Sequence, residues 1–450
     1  MKPIEAFFAR IGDDPLICAF EEAGKIFPPS SSPGMGSMGK PPAWEGGVFE
    51  DFAVRLFLEN AHRPLALYVH VPFCRHRCSF CPFFKNIATG TFSAEYTALL
   101  AREIDATAKT LGNAAGERRV DAIYFGGGTP SDLDLEDMSL LIRLLRKRFF
   151  IAPDAEITVE GGIRGFSAEK GRAWVDAGAN RFSLGVQTAD SRLRRRLGRF
   201  SRRDEIREVL QNLCASEATV IVDLIYGFPE QTADTLLDDI RFVSEETGIH
   251  GLDLYKLNLF SGSPLDRAIA RGTMPKPPDF RQMAKMYGAA YEKLVACGFK
   301  PFTQKHWRRD NRERSVYNRL AFKADMIPFG SGAGGRIGDV SLGNAGVLEE
   351  YSEKISRGEK PLSRIAYSPR KQSPFGKLLD EALEELHLPA LNQWPRDCRV
   401  DADKLLSQWR DAGLLRDPEE KDGGMRLTCA GNFWSGHMKK LLMDFVAQSG

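Results

Sequence analysis

No stretch of the 450 residues approaches the roughly 18 consecutive apolar positions that a membrane-spanning helix needs. Charge of one sign is missing too. The 62 Lys and Arg nearly balance the 60 Asp and Glu, leaving a net charge of +2, so the overall balance calls for neither nucleic acid nor an acidic surface. Cysteine is sparse, with 8 in the chain, whereas a disulfide framework belongs to short, cysteine-dense secreted proteins. The opening segment MKPIEAFFAR has no positive stretch leading into an apolar core, and the expectation is a reduced, cytoplasmic protein. With 43% hydrophobic residues the chain can bury an ample core, and its length suggests two or three domains.

Against this scarcity, three of the cysteines are crowded into Tyr68-Val-His-Val-Pro-Phe-Cys74-Arg-His-Arg-Cys78-Ser-Phe-Cys81. Iron–sulfur clusters usually take four thiolates. Three at spacing C-x3-C-x2-C, with no fourth nearby, can hold a cubane and leave one iron for a small-molecule ligand. A structural zinc site is the competing reading, since His70 and His76 stand close by, but such sites want four ligands, commonly as two spaced pairs. Cys18, Cys214, Cys297, Cys398 and Cys429 are scattered singly and read as small buried hydrophobes.

Residues 28–47 are rich in Pro, Gly and Ser, so residues 1–60 read as an N-terminal extension. From 61 to about 300, short β-branched or aromatic runs alternate with longer amphipathic stretches. The strands fall at Ala66–Phe73, Asp121–Phe125, Glu156–Glu160, Arg181–Gln187, Thr219–Tyr226 and Leu252–Leu259. Six such units predict an α/β fold, a partial (β/α)6 barrel of parallel strands. Unusual residues gather at the strand ends: Cys74 after the first, Gly126-Gly127-Gly128-Thr129-Pro130 after the second, then Glu160, Gln187 and Asp223. Barrel chemistry sits at that rim. Residues 301–372 read as a linker and substrate-side region. Residues 373–450 read as a C-terminal winged-helix-like lid, with helices at Phe375–Leu386, Ala402–Ala412 and Trp434–Val446 and a strand and turn at Met425–Gly431. No concentrated basic face marks that module as a DNA binder.

The motifs YVHVPFC-RHRC-SFC, YFGGGTPSDL, NRFSLGVQ, LGRFSRRDE and VDLIYGFPEQT together resemble the radical S-adenosylmethionine (radical SAM) family, in the branch containing oxygen-independent coproporphyrinogen III oxidase. The resemblance spans about residues 60–450. It implies a [4Fe-4S] cluster on Cys74, Cys78 and Cys81, and two SAM molecules. Tyr68, Gly127 and Glu160 match positions beside the cluster-bound SAM, while Phe80, Gly128, Thr129, Gln187, Arg199 and Asp223 match those that hold the second. Electrons would come from reduced flavodoxin or a flavin/NAD(P)H donor.

Within the branch, Cys81-Pro-Phe-Phe-Lys-Asn86, Glu160-Gly-Gly-Ile-Arg-Gly-Phe166, Leu427-Thr-Cys-Ala-Gly-Asn-Phe-Trp434 and Asp14-Pro-Leu-Ile-Cys-Ala-Phe20 are similar to the anaerobic haem-degrading methyltransferases, the anaerobilin synthases. That implies that the 5′-deoxyadenosyl radical from one SAM abstracts hydrogen from the methyl group of the other, that the resulting methylene radical adds to a haem meso carbon, and that ring opening gives a methylated linear tetrapyrrole and frees iron. Oxidative decarboxylation of coproporphyrinogen III and non-enzymatic haem carriage remain as alternatives. For substrate contacts, arginines beside Arg199, or Arg308, Arg309 and Arg312, are candidates for haem propionates, with His306 or His437 as a haem ligand; solvent exposure and structural hydrogen bonding are the competing readings. Gln372 and Trp394 read as core or lid packing.

Overall fold

The computed structural model describes residues 49–321, 323–367, 374–418 and 424–449. The Pro-rich stretch, Cys18, the Asp14–Phe20 motif and Gln372 lie outside them.

The alternation read from the sequence folds as six parallel strands: β1 Leu65–Val71, β2 Val120–Gly127, β3 Ile151–Gly162, β4 Arg181–Gln187, β5 Thr219–Tyr226 and β6 Gly251–Lys256. Runs such as Leu-Ala-Leu-Tyr-Val-His-Val are apolar on both faces because helices cover a parallel sheet on one side and packed side chains fill the other. All seven residues of β4 are buried. Five helices make the successive crossovers: α1 Phe92–Leu111, α2 Leu135–Arg148, α3 Ala168–Ala177, α4 Arg203–Cys214 and α5 Ala233–Glu245, and α6 Phe280–Ala296 follows β6. Their ends follow local chemistry. Ser167 Oγ accepts from Lys170 N at the start of α3, and Gly178 at φ 117° closes it.

Residues 301–367 extend the same sheet at both ends. The short strand β8 His306–Arg308 adds antiparallel to β6 and β7 Lys300–Pro301 adds antiparallel to β8, while β9 Asp325–Phe329 lies parallel to β1 and carries β10 Gly334–Ile337, β11 Val340–Asn344 and β12 Leu362–Tyr367. The order is β12-β11-β10-β9-β1-β2-β3-β4-β5-β6-β8-β7. Seven parallel strands therefore carry the rim, one more than the sequence rhythm indicated. Arg118, with 6% of its surface exposed, and Asp325 lock β9 to the start of β2 through a 2.7 Å ion pair.

The C-terminal residues form helices Pro374–Glu384, Arg399–Asp411 and Cys429–Ser449, with a two-residue ribbon of Leu415–Arg416 against Arg426–Leu427. They enclose a core of their own around Leu379, Trp394, Trp409, Trp434 and Leu442. Trp394 packs against Phe375 at 4.8 Å. Of the strand and turn expected over Met425–Gly431, the strand is Arg426–Leu427. Thr428 Oγ1 accepts from Gly431 N at 3.1 Å and starts the last helix instead. That helix clasps the barrel: Asn432 donates to Tyr287 Oη and Gln304 O, and Phe280 packs on Phe433 and Trp434. Among the described residues no helix is long and apolar enough to cross a membrane.

Candidate functional site

The cysteine segment leaves the C-terminal end of β1 and is held from three sides. Phe73–Cys74 pairs with Asn86–Ile87, Ser79 N donates to Leu197 O at 3.0 Å, and Leu265 N donates to Ser79 O at 2.8 Å. The thiols of Cys74, Cys78 and Cys81 sense one another electrostatically. Burial first, then this mutual repulsion, pushes Cys74 up to about 11, with Thr129 opposing; Cys81 is raised by burial, while Arg199 pulls it down. All three are partly exposed and unpaired by disulfides. Among the described residues no three His, Cys, Asp or Glu are gathered to hold a single metal ion. His70 is turned inward instead, its Nδ1 2.9 Å from Tyr68 Oη.

The glycine-rich turn after β2 is dictated by its own neighbours. A Cβ at Gly127, where φ is +115°, would stand 2.5 Å from the His70 ring, and one at Gly128 would stand 2.4 Å from Phe73 O. Gly128 N and Thr129 N donate to Val71 O and Phe73 O at 2.8 and 2.7 Å. The glycines thus stitch the turn to the residue before Cys74. A similar close approach explains Gly161 and Gly165, whose added Cβ atoms would fall 1.9 and 2.1 Å from Ser131 Oγ.

Across the rim, Glu160 receives hydrogen bonds from the Tyr124 hydroxyl and Gly127 N, yet burial lifts its pKa to about 7. Arg199 Nη1 donates to Gly185 O at 2.7 Å, and its guanidinium lies 5.9 Å from the centre of the Phe80 ring. An added Cβ on Gly185 would meet both Gln187 and Arg199. Gln187 itself bulges out of β4 at φ 61°, in the left-handed region. Gly185 pairs in register with Asp223, whose carboxyl is held far above the usual range by burial and by Asp253 and Glu160, with Arg181 and Arg199 opposing. The site residues named from the sequence therefore line one continuous rim. Cys74, Cys78, Cys81, Gly127, Gly128 and Thr129 form its cysteine side, linked through Tyr68 and Glu160 to Phe80, Gln187, Arg199 and Asp223.

Sequence reasoning missed Tyr124, Tyr317 and Glu313. Tyr68, Tyr124 and Tyr317 stack, with centroids 6.4, 6.3 and 4.4 Å apart. Tyr124 could have been found from its same-face spacing to Gly126; Tyr317 comes from a five-residue helix far along the chain. Deeper in the barrel, His306 lies between Asp253, 3.0 Å from Nδ1, and Glu313, 3.2 Å from Nε2 although outside hydrogen-bonding geometry. Burial alone would lower His306, but Asp253 and Glu313 outweigh it and raise it to about 9. Burial would raise Glu313, but Arg181 and His306 hold it at about 2. This histidine is enclosed between two carboxylates and is not open to a haem iron. His437 is packed between Phe280 and Trp434, and burial pushes it down to about 4. Arg309 donates to Ser244 O, Arg312 pairs with Asp310, and Arg308 covers the Phe302 ring.

The rim also fits the ligands that such a barrel would take. Gln187 Oε1 and Arg199 Nε are buried with no partner, a deficit of about 1–3 kcal/mol each that a polar ligand can relieve. Three clustered thiols beside such orphaned groups define an iron–sulfur barrel protein with a polar ligand cradle. The comparisons agree. The Radical SAM superfamily model matches residues 68–243. Anaerobilin synthase from Escherichia coli O157:H7 is 35% identical over 85% of each chain. Heme chaperone HemW from Synechocystis sp. is 29% identical over 74% of this chain and 80% of that protein. Among solved structures, coproporphyrinogen III oxidase (HemN) from Escherichia coli superposes with a TM-score of 0.72 at 22% identity, covering 87% of this chain and 92% of that one. The chain belongs to the radical SAM superfamily, in its coproporphyrinogen III oxidase-like branch, whose fold implies a [4Fe-4S] cluster and SAM.

Proposed function

We propose that this protein is an anaerobic haem C-methyltransferase that opens the porphyrin ring, yielding a methylated linear tetrapyrrole and free iron. The observation that carries the reading is the 35% identity to an anaerobilin synthase along 85% of both chains. The structure gives its diagnostic segments physical work. Glu160-Gly-Gly-Ile-Arg-Gly-Phe166 needs Gly161 and Gly165 against Ser131, and Asn432-Phe-Trp434 docks the C-terminal helix on α6.

When bound, the cluster and SAM supply reductive radical chemistry. The residues would divide the remaining work. Cys74, Cys78 and Cys81 would hold the cluster, and Tyr68, Gly127 and Glu160 would contact the SAM bound beside it. Glu160 is suited to that place because its acceptor oxygens are already aimed by Tyr124 and the Gly127 N–H. Phe80, Gly128, Thr129, Gln187, Arg199 and Asp223 receive a second SAM. There Arg199 offers a planar fork to a carboxylate and Gln187 an unpartnered acceptor. The C-terminal module closes over the substrate as a lid. Reduced flavodoxin or a flavin/NAD(P)H system provides electrons.

The test offers haem and coproporphyrinogen III side by side to reconstituted protein, without oxygen and with reductant and SAM. Bleaching of haem absorption with release of chelatable ferrous iron is expected. Conversion of coproporphyrinogen with haem untouched would replace this reading by the decarboxylase. Tight haem binding with no SAM consumed would replace it by a carrier.

A further inference from the structure

Three loops at the rim are pinned together by the Ser79 to Leu197 and Leu265 to Ser79 backbone hydrogen bonds. Gly198 adds to this, since its position leaves a Cβ only 3.0 Å from Arg77 O. These loops expose large apolar side chains. Phe83 is 67% exposed, Phe200 50% and Phe260 40%, with Leu259 alongside. Scattered exposed apolar residues need no explanation, but clustered ones mark binding surfaces. Here Phe83 touches Phe260 at 6.4 Å, and His76 touches Phe200 at 5.5 Å.

The charges around this patch are selective. Several arginines near this patch are paired: Arg75 with Asp132, Arg196 with Glu230, Arg203 with Asp238 and Arg207 with Glu246. Arg77 and Arg164 are exposed and lie within ion-pair reach of no carboxylate among the described residues. Arg77 sits over the Phe84 ring at 5.4 Å. Arg164 sits over Phe200 at 6.0 Å and donates to Phe200 O. These two cations are therefore carried on aromatic rings, next to exposed apolar surface and one residue from Arg199 in the case of Phe200.

We infer that this patch is the docking site for the tetrapyrrole, its flat apolar face lying on the exposed Phe83, Phe200 and Phe260 and its carboxylates meeting Arg77 and Arg164. The occupant is chosen by charge and shape: a planar apolar disc with carboxylates at its edge matches aromatic surface rimmed by two unpaired guanidinium groups. The inference rests on the proposed tetrapyrrole chemistry and names where that substrate sits.

The experiment measures equilibrium haem binding to cluster-reconstituted full-length protein with SAM present, by absorbance titration. Arg77→Gln and Arg164→Gln are each expected to weaken haem binding roughly 5- to 20-fold, as for a partly exposed charge-assisted contact. The dimethyl ester of haem, which lacks the carboxylates, is expected to bind wild type and both variants alike. Phe200→Ser lies outside the cysteine segment and keeps the test open if an arginine variant fails to assemble its cluster; it is expected to weaken haem and ester equally. Unchanged haem affinity in all three variants overturns the inference. If Arg77→Gln instead slows reduction by an acidic donor protein at low salt while haem affinity holds, the patch is a donor-docking surface and the inference fails. Because binding is read without turnover, haem that binds here but is not methylated counts against the proposed function alone.

Discussion

Replacing Arg199 with Lys separates charge from geometry at the second SAM position. The lysine keeps a cation near Gly185 O and Phe80, but it loses the planar fork that lets one guanidinium hold Gly185 O through Nη1 while offering its other nitrogens, including the unpartnered Nε, to a ligand carboxylate. One lost charge-assisted hydrogen bond is worth about 1.5–3 kcal/mol. That corresponds to a roughly 10- to 150-fold weaker second site. Anaerobic equilibrium dialysis with labelled SAM would show two molecules per chain in the wild type and one tight plus one weak site in Arg199→Lys, with iron content unchanged. Equal affinity at both sites in the variant would refute the assignment of Arg199 to a SAM carboxylate.

Gly128→Ala forces a Cβ to within 2.4 Å of Phe73 O, a backbone atom that cannot swing away, so the turn must leave the cysteine segment; iron incorporation and SAM binding should both drop, and full cluster content in this variant would contradict the stitching role. Glu160, lifted to about 7 by burial, must lose its proton to meet a cationic ligand, so SAM affinity at the cluster-side site should strengthen as pH rises through about 7. Glu160→Gln should flatten that profile in titrations from pH 6 to 8. The enclosed imidazolium makes a stability prediction. His306, raised to about 9, contributes stability that is complete below its ordinary value near 6.5 and lost as pH climbs through 9; Glu313, held near 2, contributes above its ordinary 4.5 and loses it as pH falls toward 2. Glu313→Gln leaves Arg181 and His306 undercompensated, at a cost of about 3–5 kcal/mol. In urea unfolding followed by tryptophan fluorescence, the deficit relative to wild type should be largest between about pH 4.5 and 6.5 and shrink, without vanishing, toward pH 9. A deficit independent of pH would show that His306 is neutral.

Much of the rim could be read from the sequence because parallel strands end where their chemistry begins. Cys74, Gly127, Glu160, Gln187 and Asp223 each follow or close an apolar run, and strand order then brings them together. What escaped was carried by short or interrupted elements. The seventh parallel strand, Asp325–Phe329, is five residues long with Pro328 inside it, and β8 has three residues, too few for any period to show. Register rather than pattern puts His306 opposite Asp253, and only folding brings Glu313 to Arg181. The C-terminal Leu-Thr-Cys-Ala-Gly segment reads as strand and turn, whereas the structure uses the Thr428 hydroxyl to start a helix. Arg77 and Arg164 could not be told from other surface arginines without knowing which carboxylates stood near them.

The most direct measurement follows deuterium from SAM labelled in its methyl group through one anaerobic reaction with haem, read by mass spectrometry. Haem methylation through two SAM roles places label in two products at once: in the carbon added to a ring-opened tetrapyrrole, and in 5′-deoxyadenosine through the abstracted atom. Unlabelled 5′-deoxyadenosine with intact, unmethylated haem would contradict it.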